Sequence, residues 1–309
     1  LFDDEIFRDG RLDIVNMDLF AQPFGGSIRD LHIKAMVNDG LWNGFDVNVD
    51  TNLATPELKI VARLRNKSMT EKLVRELPVI GEKFWKTYLP TGKFDFICFL
   101  DLNNKDNEKK VDYNLNLDIK DAECTYLKWP FLIKHVNGTL EYSREGIFLR
   151  SLKGNVQNED YEALGEIDAF IGVGNARKKI DINIPNSKIT EKLPKMIPEV
   201  GEQVWEKYDP KGNIDLSLTY ESNEDQSVKD YTVKVMCKGV DAKYPNFPYR
   251  LTNIVGFLEM DGQNVYFKDM SGSFFDEVKT NRFTLDGDIN LKSKEKRFNL
   301  SIPNLNLTE

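Results

Sequence analysis

Histidine is nearly missing from this chain, which has only His32 and His135. Imidazole is the usual general base, and acid–base or nucleophilic catalysis needs such a group within hydrogen-bond reach of its partner. The position that corresponds to His135 in the internal repeat described below is Asn253, so this histidine is not a recurring element. Cysteine is almost as scarce. Cys98, Cys124 and Cys237 match no zinc or redox spacing. Cys98 and Cys237 fall in alternating apolar stretches, where a thiol acts as a small hydrophobe. The three define no disulfide framework, and whether two of them pair stays open. No stretch approaches the ~18 apolar residues of a membrane-spanning helix. No signal peptide follows Leu1, and a start methionine and any anchor are expected outside this stretch. Clustered basic residues are lacking too. The nearest approach is Arg177-Lys178-Lys179, in a chain of net charge −8. That balance argues against a nucleic-acid partner, which requires a basic stripe.

Other motifs are incomplete. Gly172-Val173-Gly174 has Arg177 where a dinucleotide-binding loop needs a third glycine, and an alternating stretch follows where a helix belongs. It reads as a hairpin turn. The acidic runs Asp3-Asp4-Glu5 and Glu159-Asp160 read as solvated turns, and no EF-hand spacing occurs. Three sequons begin at Asn66, Asn137 and Asn306. They matter only in a eukaryotic secretory protein.

What the chain does contain is a duplication. Residues 70–95 and 190–215 align without a gap at an offset of 120, with 12 of 26 positions identical. The matches include Pro78/Pro198, Gly81/Gly201, Trp85/Trp205, Tyr88/Tyr208 and Gly92/Gly212. A second block recurs at an offset of 118. Asp112-Tyr113 matches Asp230-Tyr231, and Trp129-Pro130-Phe131 matches Phe247-Pro248-Tyr249. Gly138 and Gly154 match Gly256 and Gly272. Ile302-Pro303-Asn304 echoes Ile184-Pro185-Asn186, and Thr308-Glu309 echoes Thr190-Glu191. The expected organisation is the tail of a diverged repeat at 1–69, repeat A at 70–189, repeat B at 190–307, and the start of a truncated further repeat at 308–309. The chain reads as a fragment of a longer tandem-repeat protein.

Within each repeat, Leu73, Leu77, Ile80, Phe84 and Tyr88 keep helical spacing. Thr70 stands at the N-cap position. Pro78 interrupts this face, so a kinked helix is expected. Trp85 and Trp205 read as anchors between helix and sheet rather than as membrane-interface residues. The rest alternates with period two, as in Phe94, Phe96, Cys98 and Leu100, or Tyr231, Val233, Val235 and Cys237. One apolar and one polar face mark antiparallel sheet. The expected fold is mainly β with kinked helices, an elongated antiparallel sheet of tandem α+β units about 118–120 residues long, open as a β-groove or divided into separate modules.

Two recurring blocks carry a resemblance. One runs Ile-Pro-Asn…Thr-Glu-Lys-Leu…Pro…Gly…Trp…Tyr-x-Pro-x-Gly-x-Ile/Phe-Asp. The other spans Trp129–Gly154 and, more loosely, Phe247–Gly272. Together, over about residues 58–309, they resemble the AsmA-like proteins of the bacterial envelope, which include TamB and are similar to bridge-like lipid-transfer proteins. The resemblance implies a bent sheet with an apolar inner face along which phospholipid acyl chains slide between membranes. It also implies a periplasmic location, held by an anchor not present here. With the alternation it selects Phe96, Leu115, Leu117, Ile147, Leu149, Val233, Val235, Val265 and Phe267 as groove-lining candidates. The expected function is non-enzymatic lipid binding or conduction, with no cofactor, metal or nucleic acid. The alternative is a structural or adhesion repeat that acts as a spacer or scaffold for an envelope protein partner.

Overall fold

The computed structural model describes residues 17–24, 27–38, 40, 42–52, 57–76, 85–86, 88–103, 110–125, 132–158, 161–172, 177–190, 206–223, 229–245 and 247–303. The strands are β1 (Met17–Phe24), β2 (Ser27–Val37), β3 (Asp46–Asn52), β4 (Glu57–Ser68), β5 (Thr91–Asn103), β6 (Lys110–Thr125), β7 (Leu132–Ser143) and β8 (Gly146–Asn158). They continue as β9 (Tyr161–Gly172), β10 (Lys178–Lys188), β11 (Lys211–Ser222), β12 (Lys229–Tyr244), β13 (Phe247–Met260), β14 (Asn264–Phe275), β15 (Thr280–Asn290) and β16 (Lys296–Ser301). Hydrogen-bonded neighbours follow chain order throughout, in one open sheet. The chain divides into two compact units, Leu1–Asn158 with Asp168–Gly174, and Glu159–Ile167 with Asn175–Glu309.

The kinked helices expected from the sequence are not supported. The one α-helix among the described residues is α1 (Glu71–Glu76), with short helical pieces at 85–86, 88 and 206–208. Leu77, Pro78, Ile80, Phe84, Pro198 and Trp205 lie outside the described residues. Of the periodic face from Leu73 to Tyr88, the described residues 71–76, 85–86 and 88 are helical. What does form is built as the sequence suggests. Thr70 Oγ1 accepts the Leu73 amide at 3.3 Å, and Arg75 pairs with Glu71 one turn back at 2.7 Å.

In the first unit, period-two alternation lays apolar side chains in rows across the strands. Leu64, Phe96, Leu117, Leu140 and Leu149 stand opposite one another in turn. Ala62, Cys98, Leu115, Tyr142 and Ile147 form the adjacent row. Leu73 and Val74 of α1, with Trp42 and Met69, complete the same core, and Trp85 packs half-buried against it. Leu64 and Phe94 are 0% exposed. Each such side chain contributes about 1.5–3 kcal/mol on burial. In the second unit the rows are Ile184, Leu216, Val235, Leu258 and Phe267, and Ile182, Leu218, Val233, Met260 and Val265. Phe274 and Phe283 close this core, with the Phe247 ring edge-on to Phe274 and the Tyr249 ring stacked on it.

The opposite face carries cross-strand ion pairs. Lys120 holds Asp95, Arg150 holds Glu141, Lys238 holds Asp215 and Lys268 holds Glu259. Exposed pairs of this kind add little stability individually. They keep the outer face wet.

A line of β-bulges crosses each unit. A residue of positive φ interrupts β4 at Asn66, β6 at Asp121, β7 at His135 and β8 at Ser151. The second unit repeats this at Asn186 in β10, Gly239 in β12, Asn253 in β13 and Asp269 in β14. The neighbouring strand supplies an acceptor for the displaced amide. The N–H of Asn66 donates to Asp95 Oδ1 at 2.7 Å, and that of Asn186 to Asp215 Oδ1 at 2.7 Å. Ser151 donates to Asp168 and Asp269 to Asp286, both at 2.8 Å. A bulge inserts one residue and leaves an N–H unpaired, so these Asp side chains satisfy what the ladder abandons.

Candidate functional site

The candidate site is the apolar face of each unit. Five of the nine predicted residues lie in the apolar rows of the first unit and four in those of the second. Phe96, Leu117 and Leu149 share one row, with Leu115 and Ile147 in the next. In the second unit Val235 and Phe267 share a row, and Val233 and Val265 the next. Their exposure divides them. Phe96, Leu115, Leu117 and Val233 are buried, at 3–6%. Ile147, Leu149, Val235, Val265 and Phe267 are only partly buried, packed against those cores. The first group is core, whereas the second presents apolar surface to whatever lies over the sheet.

Several residues of the face escaped the sequence reading. Leu140 and Tyr142 complete the first unit's rows, and Leu258 and Met260 the second's. The bulge line escaped it too, although a signal for it exists. Along four strands the apolar period of two slips once by three. It runs Ile119 to Ala122 in β6, Leu149 to Leu152 in β8, Cys237 to Val240 in β12 and Phe267 to Met270 in β14. Each slip spans a residue of positive φ. One extra residue is what keeps the later side chains on the same face, since a plain strand would turn them outward.

The titratable side chains of the face include thiols and phenols. Burial pushes Cys98 up, and Cys237 up to about 11, so both stay protonated at neutral pH. Tyr142 is pushed up to about 12 by burial and by its hydroxyl contact with Tyr113, which donates to it at 3.3 Å. The three cysteines are free.

His32 contacts Asp50 and His135 contacts Asp121, at 2.5 and 2.7 Å, both exposed. No described cluster of three or more His, Cys, Asp or Glu has metal-binding geometry. A shallow depression of about 570 Å³ lies beside the bulges, between Asn66, Met69, Gly92, Lys93, Lys120 and Asp121. Its Lys120 is already engaged by Asp95. No described helix is long and apolar enough to cross a membrane.

Fold and site together define a class: an antiparallel sheet in chain order, with apolar rows on one side and cross-strand ion pairs on the other. Comparison with family models, curated proteins and solved structures finds no match for the chain.

Proposed function

We propose that the apolar face binds lipid acyl chains, without catalysis, as one stretch of an AsmA-like, TamB-like envelope protein that conducts phospholipid between membranes. The observation that carries this reading is the set of partly uncovered apolar side chains in the rows, Ile147 and Leu149 in the first unit and Val235, Val265 and Phe267 in the second. An acyl chain needs only such a strip, because the driving force is non-directional removal of apolar area from water. Proteins in water rarely leave contiguous apolar surface beyond a few hundred Å² without a use for it. On this reading the working unit is the 118–120-residue repeat, at 70–189 and 190–307, and the sheet is an open groove. On the same reading the protein resides in the periplasm of a bacterium.

The test is lipid extraction and mass spectrometry of the purified chain, with binding of a fluorescent phospholipid as a second measurement. Co-purifying phospholipid, and weaker binding by Leu149→Asp and Phe267→Asp variants that keep their β-sheet signal, support the reading. Absence of lipid together with unaltered probe binding by both variants sinks it.

A second reading is favoured by the fully enclosed side chains, Leu64 and Phe94 at 0%, Leu73 at 1% and Phe274 at 2%. These suit a rigid spacer or scaffold whose cores are closed and whose partner is an envelope protein. Such a protein binds no lipid probe and does not respond to the two substitutions.

A further inference from the structure

One corner of the second unit's apolar face is polar. Residues two apart on a strand share a side. Lys178 and Ile180 of β10 therefore face the same way as Ile182 and Ile184, and Tyr220 and Ser222 of β11 the same way as Leu216 and Leu218. Ser222 stands opposite Lys178, and Tyr220 opposite Ile180. On its other side Tyr220 meets Tyr231 of β12. Ser222 is 4% exposed, and its Oγ has no hydrogen-bond partner among the described residues. A buried hydroxyl left unpaired costs stability, so it calls for a reason. No described carboxylate pairs with Lys178, whereas its neighbour Lys179 reaches Asp181 and Glu221 at 3.8 and 3.1 Å on the outer face.

The duplication shows that this corner is peculiar to the second repeat. By the offset of 120, Lys178 and Ser222 correspond to Leu58 and Leu102, and Tyr220 to Leu100. The register is the same, with Leu58 opposite Leu102 and Ile60 opposite Leu100. A leucine pair at the border of the first unit's rows is thus a lysine and a serine in the second. Two aliphatic residues serve stability better than a cation beside an unpaired buried hydroxyl. The polar pair suits oxygen atoms that carry negative charge.

We propose, resting on the lipid reading of the face, that this corner binds the anionic head of an acyl lipid. Lys178 supplies the charge, and the Ser222 hydroxyl donates to a head-group oxygen. The tail leaves past Tyr220 over Leu218 and Val233, which stand opposite each other in the adjoining row. A fatty-acid carboxylate and a phospholipid phosphodiester share this chemistry.

The experiment titrates the full chain with a fluorescent long-chain fatty acid, its methyl ester, and a fluorescent short-chain phosphatidylglycerol, each below its micelle concentration. One or both anionic probes should bind roughly tenfold or more tightly than the ester, and the stronger of the two identifies the head group. Lys178→Gln keeps much of the side chain and removes the charge. It should abolish the preference and leave binding of the ester unchanged. Ser222→Ala should weaken the anionic probes about threefold while its urea midpoint equals or exceeds that of the parent chain, since an unpaired buried hydroxyl is lost. A serine with a purely structural role would not separate those two readouts. Equal binding of the ester and both anionic probes, or a preference that survives in Lys178→Gln, overturns this inference and leaves the lipid reading standing. Binding of none of the three probes overturns both.

Discussion

At the scale of single residues, the bulge line depends on glycines that admit the neighbouring backbone. Gly256 sits at φ 129, and a Cβ there would lie 2.6 Å from Met270 Cα and 2.7 Å from the Asp269 carbonyl oxygen. Gly92, at φ 109, would meet Ala122 Cα at 2.5 Å. Backbone cannot yield as a flexible side chain can, so strain of conformation and of contact add. Gly256→Ala is expected to lower the free energy of unfolding by about 2–4 kcal/mol. Gly44, at φ 82 with open space around it, carries only the conformational part, about 1 kcal/mol. Urea titration of the two variants measures the difference.

The acceptors of the bulge amides make a second prediction at this scale. The hydrogen bond from Lys120 and the amide of Asn66 hold the Asp95 carboxyl below its ordinary 3.8. Burial pushes Asp215 up, but Lys238 and the amide of Asn186 outweigh it and leave its pKa lowered. A carboxyl whose folded pKa is depressed contributes stability that is present above its unfolded value and is lost as pH falls through the folded one. Asp95→Asn with Asp215→Asn should therefore lower the urea midpoint at pH 7. The gap to the parent chain should shrink steadily below pH 3.8. A gap that holds constant down to pH 2 would exclude these carboxylates as the source.

At the scale of elements, α1 is a lid of six residues that cannot stand alone, since short isolated helices are unstable in water. It holds by its Thr70 cap and by Leu73 and Val74, which are 1% and 2% exposed. Thr70→Ala should cost about 1 kcal/mol, and Leu73→Ala about 2–5 kcal/mol, both measured by chemical denaturation. The larger figure for Leu73 says that packing, not helix propensity, keeps α1 in place. The helical spacing from Leu73 to Tyr88 was plain in the sequence. It could not tell that Leu73 and Val74 end up almost fully enclosed, because the elements that cover them are supplied only by the fold.

At the scale of the whole molecule, each compact unit has its own hydrophobic cluster. Phe94 anchors one and Phe274 the other, at 0% and 2% exposure. Truncating either to alanine should cost about 3–5 kcal/mol. Amide exchange should then accelerate first in β4–β6 for Phe94→Ala and in β13–β15 for Phe274→Ala. Equal acceleration along the entire chain in both variants would show that the two clusters unfold as one.

Alternation by itself determined which residues of a run share a side, as Phe94, Phe96, Cys98 and Leu100 do, or Tyr231, Val233, Val235 and Cys237, because a strand's period is two. The duplication was equally legible, as sequence identity needs no coordinates. Tertiary structure alone decided how deep each residue sits. Leu117 and Leu149 read alike in the sequence, yet the first is core and the second half-open, since burial depends on what other elements lay over the row. It also decided the bulges: whether Asn66 or Asp121 turns left-handed depends on an acceptor waiting on the next strand, and that neighbour is set by pairing across the sheet.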